Sequence, residues 1–531
     1  MSQLPHPGRR LASRVLAAGV VVVALAAGVV SFVLDHTARD IAKDLTPIDQ
    51  ATRRQLDRPA PGAAQTILLA GLDHRYADGP KAGSRSDTMM LVRLDPKAKA
   101  TAILSLPRDL RVTSLGPHGQ QKLNSAWFTG GSERLTHTIK TAVLGTPQDP
   151  FRINGIVSVK FDAFAKVINH LGCLYAEVDR HYFIPPNSGH AEIDQPAGYQ
   201  LLCGQSALSY VRFRVQDSDF VREARQANYL TEVRSQVRPE DVLSGTLLKD
   251  VGDYVRTNIT SARQLLAIAK LLVYVAGKPT ARITLGGLSD ADDGTNDVLT
   301  TPAALAEARR RFFHPRVAPA ATKGSASASG ASGASGAKDG SGQGVGTKRS
   351  TGTPKAGTPK SAGRSSRRRA KASTALPATM TTDAAGADAV PGQVAPGLAD
   401  AGVGTVDVLA PTSRYGRGAY EPEMTRGYAI LGKDRQPRWP SYRIVASTGD
   451  TGQYYGVEGT TWRDPPILQL ASDEVRLGGR DWKVQYDGRE IRRLIWPGPN
   501  GTYWVTNTLT NELSLKEMYA VARSMRPVGR R

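Results

Sequence analysis

From residue 317 to about 400 the chain is built of Ala, Gly, Ser, Thr, Pro and Lys in irregular repeats, with almost no large apolar side chains. Such a tract buries too little apolar surface to offset the conformational entropy lost on ordering. It therefore divides the chain into pieces that must each assemble a core, with a disordered linker expected over 316–404. A length of 531 residues leaves room for two or three such pieces. The tract also accounts for much of the charge. The formal balance is 69 − 48 = +21, yet 317–375 alone hold eleven Lys and Arg against one acid, so about half of the excess belongs to the linker. Its basic cluster RSSRRRAK (364–371) suits either contact with an anionic polymer or lipid headgroups, or a solvated spacer.

The N-terminus limits the partners further. Arg9, Arg10 and Arg14 precede VLAAGVVVVALAAGVVSFVL (15–34), twenty residues without a charge, and Asp35 and Asp40 follow. That length crosses a bilayer, whereas the apolar core of a cleaved signal peptide, the competing reading, runs to only about 7–15 residues. The expected arrangement is a cytoplasmic N-terminus over 1–14, an uncleaved transmembrane helix over 15–34, a polar stalk over 35–60, and everything beyond on the outer side of the cell membrane. The lipid bilayer is then a partner, and nucleic acid is excluded for the bulk of the chain. Two cysteines occur, Cys173 and Cys203. In an oxidising compartment a disulfide between them is the expected state, with two buried thiols as the alternative. Neither has the CxxC spacing of a redox or zinc site.

QTILLAG (65–71) is a continuous apolar run, the pattern of a strand buried on both faces, and DTMMLVRLD and TAILSL follow at short spacing. Helical patterns come next, from Ser132 to Gly145, from Asp162 to Gly172, from Val221 towards Val237, then around 242–255 and 260–276. A strand near ARITLGG and a helix at PAALAEARRRFF close the core near Pro315. Strands and helices mixed in this way over 61–315 indicate an α/β or α+β sandwich. Behind the linker lie Trp439, Trp462, Trp482, Trp496 and Trp504, among short alternating runs such as YRIVAS, DWKVQYDG, IRRLIW and TYWVTNTL. A small β-rich domain closed by the helix SLKEMYAVARSM is expected over 405–531, with its tryptophans in the core rather than on a sugar-binding face.

The chemistry concentrates in a few runs: GLDHR (71–75), GSRSDTMMLVRLDP (83–96), SLPRDL (105–110), YVRFR (210–214) and DSDFVREARQ (217–226). Each joins arginines or carboxylates to a buried strand or to the start of a helix. Magnesium takes one or two protein carboxylates and completes its octahedron with water and phosphate oxygens, a role that suits Asp73 and Asp87 where strands meet loops. Arginine presents a planar fork that pairs phosphate oxygens bidentately. Arg75, Arg85, Arg108, Arg212, Arg214 and Arg222 supply enough forks for a pyrophosphate, and Arg222 falls in the first turn of a helix, which itself favours anions. For any one Arg-Asp pair taken alone, a structural salt bridge is the rival reading. Neither a Ser-His-Asp arrangement, a zinc-ligand spacing nor a Walker-type loop stands out.

The ordered set GxDxR, GxRSDTMML, PRD, KxNxA (KLNSA, 122–126), PAGYQLLCGQSALSYVRFR and DFxRxxRQ resembles the LytR-CpsA-Psr family of cell-wall glycopolymer ligases, over about residues 60–315. The resemblance implies an α/β/α sandwich with an apolar channel for a polyprenyl chain and a polar mouth for its pyrophosphate. It also implies transfer of a phosphoglycan from that carrier to a peptidoglycan hydroxyl, with release of polyprenyl phosphate. By the same resemblance Asp73 and Asp87 are the Mg2+ side of the site. Arg85, Arg108, Arg212, Arg214, Arg222 and Gln226 resemble the pyrophosphate clamp, with Arg75 and Lys122 as further contacts. Apart from the resemblance, a carboxylate near the metal can accept the proton of the acceptor hydroxyl, which points to Asp87 or Asp109. His74 and Val215 depart from the family pattern. Two other readings use the same residues differently: a polyprenyl-pyrophosphate hydrolase, or a non-catalytic wall-binding or regulatory protein.

Overall fold

A computed structural model describes residues 46–60, 62–73, 85–113, 121–188, 192–213, 215, 217–237, 255–275, 278–317 and 375–529. The apolar span 15–34 and the helix expected around 242–254 lie outside them. Among the described residues no helix is long and apolar enough to cross a membrane. Residues up to 317 and from 377 onward belong to one compact body.

The core is a sheet with helices on both faces. Its strands are β1 (Gln65–Asp73), β2 (Arg85–Asp95), β3 (Ala100–Ser105), β4 (Gly155–Lys160), the pair β5 (Leu174–Val178) and β6 (Gly198–Leu202) set to one side, β7 (Val255–Thr257) and β8 (Thr280–Ile283). The helices are α1 (Asn124–Thr138), α2 (Phe161–His170), α3 (Gly204–Arg212), α4 (Asp219–Gln236), α5 (Ala262–Val275) and α6 (Pro302–Phe313). The central order is β7-β4-β1-β2-β3-β8. β1, β2 and β3 form an antiparallel meander, while β4 joins β1 and β8 joins β3 in parallel.

One sheet face packs Leu68, Leu91, Leu104 and Ile283 against Leu135 of α1 and Phe312 of α6. The opposite face meets α4 and α5 through two smaller clusters around Ile103 with Ala227, and Ile67 with Leu271. There Leu69, Val92, Val157, Leu230 and Ile268 are only partly buried. Apolar side chains in the middle of a sheet normally lose nearly all contact with water, so this face carries part-exposed apolar surface beside α4 and α5.

Two expectations change in the structure. Residues 46–60, read as the membrane-distal part of a stalk, are woven into the core. Asp49 caps the short helix Gln50–Gln55 by accepting from Thr52 N–H at 2.6 Å and takes a hydrogen bond from Ser132 Oγ at 3.0 Å. Lys140 Nζ holds Asp57 at 2.7 Å. The polar composition that suggests a solvated stalk serves instead as caps and ties. The second change is the end of the linker. The segment expected to be disordered as far as 404 contains α7 (Ala384–Ala401), capped by Asp383, whose carboxylate accepts from Gly386 N–H at 2.8 Å. Ala387, Val390, Val394 and Leu398 recur at helical spacing and are buried. A Cβ on Gly397 would lie 2.0 Å from the carbonyl oxygen of Gly427, so the helix reaches its sheet only because both positions are glycine.

The C-terminal region is β-rich: β9 (Arg426–Leu431), β10 (Pro437–Ser447), β11 (Tyr454–Thr460), β12 (Arg480–Asp487), β13 (Glu490–Pro497) and β14 (Thr502–Thr506), followed by α8 (Leu515–Ser524). It extends the core sheet in the order β8-β12-β13-β14-β11-β10-β9. The joint itself is one backbone pairing, Thr280 with Asp487. Trp482 and Trp504 are wholly buried, and Trp439 stacks on Trp462 with centroids 3.9 Å apart. The disulfide expected between Cys173 and Cys203 is present and spans 30 positions.

Candidate functional site

The β1-β2 ladder carries the first element of the site. Gly71 pairs with Thr88 and Leu72 with Ser86, so Asp87 is the extra residue of a β-bulge. Bulges re-aim a side chain at a sheet end, and here the side chain is a carboxylate. Gly71 lies beside it in a tight spot, where a Cβ would be 3.0 Å from Thr88 Cβ and 3.6 Å from the Phe161 ring. Asp73 pairs with Arg85 across the same two strand ends, which places the two predicted carboxylate positions on neighbouring strands.

The PRD turn after β3 supplies the second element. Arg108 is 8% exposed and bridges two acids: Nη1 reaches Asp87 Oδ1 at 2.8 Å and Nε reaches Asp109 Oδ2 at 3.3 Å. Lys122 then pairs with the other oxygen of Asp109 at 3.2 Å and donates to the Asn296 carbonyl at 3.0 Å. Four of the predicted residues, Asp87, Arg108, Asp109 and Lys122, thus form one continuous line of alternating charge. Both oxygens of Asp109 are engaged by cations, whereas Asp87 commits only Oδ1 to a partner among the described residues.

The line continues into residues that sequence reading missed. Arg111 Nε pairs with Asp297 Oδ2 at 2.7 Å, Arg111 Nη2 with Asp293 at 2.5 Å, and Lys122 lies 3.8 Å from Asp297. Arg111 stands three residues after Arg108 and was open to notice. Asp293 and Asp297 sit in a polar loop about 180 positions on, and no spacing rule connects them to it.

The other predicted arginines distribute as follows. The Arg85 guanidinium lies over Phe128 at 5.2 Å, with its Nε buried and without a hydrogen-bond partner. Arg212 lies 4.5 Å over Phe161, the ring that touches Gly71 beside the bulge, so α3 delivers its terminal arginine towards the Asp87 end of the sheet. Arg222 is buried in the first turn of α4. Gln226 donates from Nε2 to the Val211 carbonyl at 3.1 Å, which makes it a tie between α4 and α3. Arg225 is fully buried, donating to the Phe213 carbonyl at 2.9 Å and paired with Asp217, so it holds the YVRFR segment in place. Arg75 and Arg214 lie outside the described residues, as does the side chain of Asp73. Among the described residues no group of three or more His, Cys, Asp or Glu side chains gathers to hold a metal ion.

A profile of the LytR_cpsA_psr family matches residues 29–306, half of the chain. The chain belongs to the LytR-CpsA-Psr family. The matched span contains every site residue above and ends before the linker, so the C-terminal sheet lies outside the LytR-CpsA-Psr match. The polyisoprenyl-teichoic acid–peptidoglycan teichoic acid transferase TagU of Halalkalibacterium halodurans is 32% identical over 36% of this chain and 60% of its own length. The transferase of the same description TagT of Bacillus subtilis is 30% identical over 41% of this chain and 67% of its own length. The chain thus spans three-fifths to two-thirds of these two relatives. The crystal structure of B. subtilis TagV aligns with 48% of this chain and 98% of that one at 26% identity, with a TM-score of 0.39.

Proposed function

We propose that this protein is a membrane-anchored phosphotransferase that moves a glycopolymer from a polyprenyl-pyrophosphate carrier to a peptidoglycan hydroxyl and releases polyprenyl phosphate. The observation that carries the reading is the bulged Asp87 held by Arg108 at the end of a sheet, one of whose faces leaves Leu69, Val92, Val157 and Ile268 only partly buried. A charged clamp on a sheet that also offers part-exposed apolar surface suits a lipid-linked pyrophosphate. That the relatives are teichoic acid–peptidoglycan transferases supports polymer transfer to peptidoglycan.

In this reading the acceptor oxygen forms a bond to the glycan-side phosphorus as the bond from that phosphorus to the bridging oxygen breaks, and the bridging oxygen leaves with the polyprenyl phosphate. Chemistry of this kind is accelerated mainly by positioning and by positive charge where the leaving oxygen becomes anionic. Arg108, Arg85 and Arg212 supply that charge. The hydroxyl proton goes to Asp87, whose Oδ2 is not committed to a partner among the described residues. Asp109, held between Arg108 and Lys122, orients the arginine. Asp87 and Asp73, at neighbouring strand ends, would hold a magnesium ion, which takes one or two carboxylates and otherwise water and phosphate oxygens and would neutralise the pyrophosphate.

The test is transfer of a radiolabelled glycan from its polyprenyl-pyrophosphate carrier to peptidoglycan by the detergent-solubilised full chain, with and without magnesium. Arg108→Ala and Asp87→Ala should each lower transfer by about 100-fold or more at unchanged melting temperature. Full activity in both variants overturns the reading, and release of the glycan to water without an acceptor favours the hydrolase.

A further inference from the structure

At the joint of β8 and β12 the structure forms an open cavity of about 400 Å³, within the range of about 300–1,000 Å³ typical of ligand sites. One side belongs to the family core: Ile103 and Ser105 of β3, Ala227 of α4, and Thr284 after β8. The other side is the turn between β12 and β13 and the loop 509–511, both beyond the family match. The cavity shares no residue with the Asp87 and Arg108 line.

Its walls are fixed. The backbone N–H of Arg282 donates to Asp487 Oδ1 at 2.9 Å, its Nε donates to the other oxygen of that carboxylate, and its Nη1 donates to the carbonyls of Ala224 at 3.1 Å and Leu509 at 2.9 Å. One side chain of the core thereby locks the turn, the loop and α4 into one frame. Asn511 donates from Nδ2 to Asp487 at 2.6 Å, while its Oδ1 is buried with no hydrogen-bond partner. A buried acceptor left without a donor costs about 1–3 kcal/mol, so the frame carries an unmet demand for a hydroxyl or N–H group.

Four arginines and four acids line the cavity, and they are not paired one to one within it. Arg311, Arg316 and Arg489 line it, are exposed, and have no acidic partner among the described residues. Of the acids on the wall, Asp487 is taken by Arg282, and Glu307 pairs with Arg310 at 2.7 Å. Glu223 and Glu490 are the acids that oppose them. Three guanidinium forks suit a phosphate, hydroxyl donors suit Asn511, and the small apolar floor at Ile103 and Ala227 suits the C–H face of a sugar ring.

We propose that this cavity is a binding site for a phosphorylated saccharide, with the phosphate on Arg316 and Arg489 and sugar hydroxyls on Asn511, Thr510 and Ser105. The inference stands on the cavity and goes beyond the transfer reading without depending on it. It gives the C-terminal region a role in recognising the glycan.

The experiment is calorimetric titration of the detergent-solubilised full chain with maltose 1-phosphate, with maltose and inorganic phosphate as separate arms. The expected result is saturable binding of the sugar phosphate, about tenfold or more tighter than either control. The double variant R316A/R489A should weaken it at least about tenfold, Asn511→Ala severalfold, and Arg108→Ala not at all. Both arginines are exposed, and an unchanged melting temperature establishes that the double variant folds. Absence of saturable binding overturns the proposal, and so does inorganic phosphate binding as well as the sugar phosphate. Loss of binding in Arg108→Ala with none in R316A/R489A also overturns it, by assigning the ligand to the clamp. Loss of transfer activity in Arg108→Ala leaves it untouched.

Discussion

Glu177 on β5 and Arg493 on β13, 316 positions apart, meet in a fully buried ion pair with Arg493 Nε 2.5 Å from Glu177 Oε2. Around it Glu177 also accepts from Arg443 and from the Thr506 hydroxyl, its backbone N–H donates to Glu232 Oε2 at 2.9 Å, and Arg493 pairs with Glu232 as well. Core and C-terminal region are therefore joined by a closed ionic network more than by the single strand pairing at Thr280. Charges buried this deeply persist only when paired and hydrogen-bonded on several sides.

Breaking that network from one side should be costly. Glu177→Gln or Arg493→Leu is expected to destabilise the fold by about 3–5 kcal/mol, because the remaining partner stays buried and uncompensated. The exposed pair Arg476 and Asp481, at 2.9 Å, serves as the control, with a cost of about 1 kcal/mol or less. Urea unfolding of the three variants measures the difference, and equal midpoints for all of them contradict the network.

The same network sets a pH response with two limbs. Burial pushes the Glu177 carboxyl up, but the guanidiniums of Arg493, Arg443 and Arg492 outweigh it and hold the group below its ordinary range. Its contribution is present above about pH 4.3 and is lost as pH falls through the depressed value. Glu458 behaves oppositely: burial, reinforced by the charge of Glu177, raises it against the pull of Arg443. Its contribution is full below about pH 4.3 and is lost as pH rises through the elevated value. Glu458→Gln should therefore flatten the decline in stability from about pH 5 to pH 8, and Glu177→Gln the acid limb below about pH 4. Denaturation midpoints across that range decide it, with unaltered slopes as the contrary result.

At the candidate site the geometry distinguishes arginine from lysine. Arg108 spans Asp87 and Asp109 with two different nitrogens, a bridge that the single ammonium of lysine cannot reproduce. Arg108→Lys should lose most of the transfer activity that Arg108→Ala loses, about 100-fold. Lys122→Ala, which releases one oxygen of Asp109, should cost only about tenfold. Steady-state transfer rates rank the three, and a Lys variant near wild type would remove the bridge from the argument.

The disulfide ties the residue before β5 to the N-cap of α3, close to the buried end of the network. Replacing both cysteines by alanine should lower stability by about 3 kcal/mol, the loop-closure value for about 30 residues. Unfolding under non-reducing conditions measures it, and an unchanged midpoint would show that the native contacts alone hold the loop.

Much of the core was legible before any coordinates. The helix expected from Val221 towards Val237 is Asp219–Gln236, with Ser218 accepting from Val221 N–H as its cap, and PAALAEARRRFF is the helix Pro302–Phe313. QTILLAG, DTMMLVRLD and TAILSL became the central strands. Of the site, Asp87, Arg108, Asp109 and Lys122 were named and do converge. Gln226 was assigned to the clamp, and the coordinates engage it in tying two helices together.

Periodicity, caps and motif runs are local properties, governed by a turn of helix or a few residues of strand, and for that reason the elements of this chain and the composition of its site can be read from residue order alone. Which arginine meets which carboxylate depends on contacts between positions far apart, and no local pattern encodes them. Arg443 and Arg493 look like surface charges in alternating strands, yet they are buried because β5 and α4 bring Glu177 and Glu232 to meet them. The low-complexity tract implied separate pieces. Only the folded chain shows that its two ends return to one body, because buried ion pairs and an apolar cluster from Tyr199 to Trp504 close across the gap.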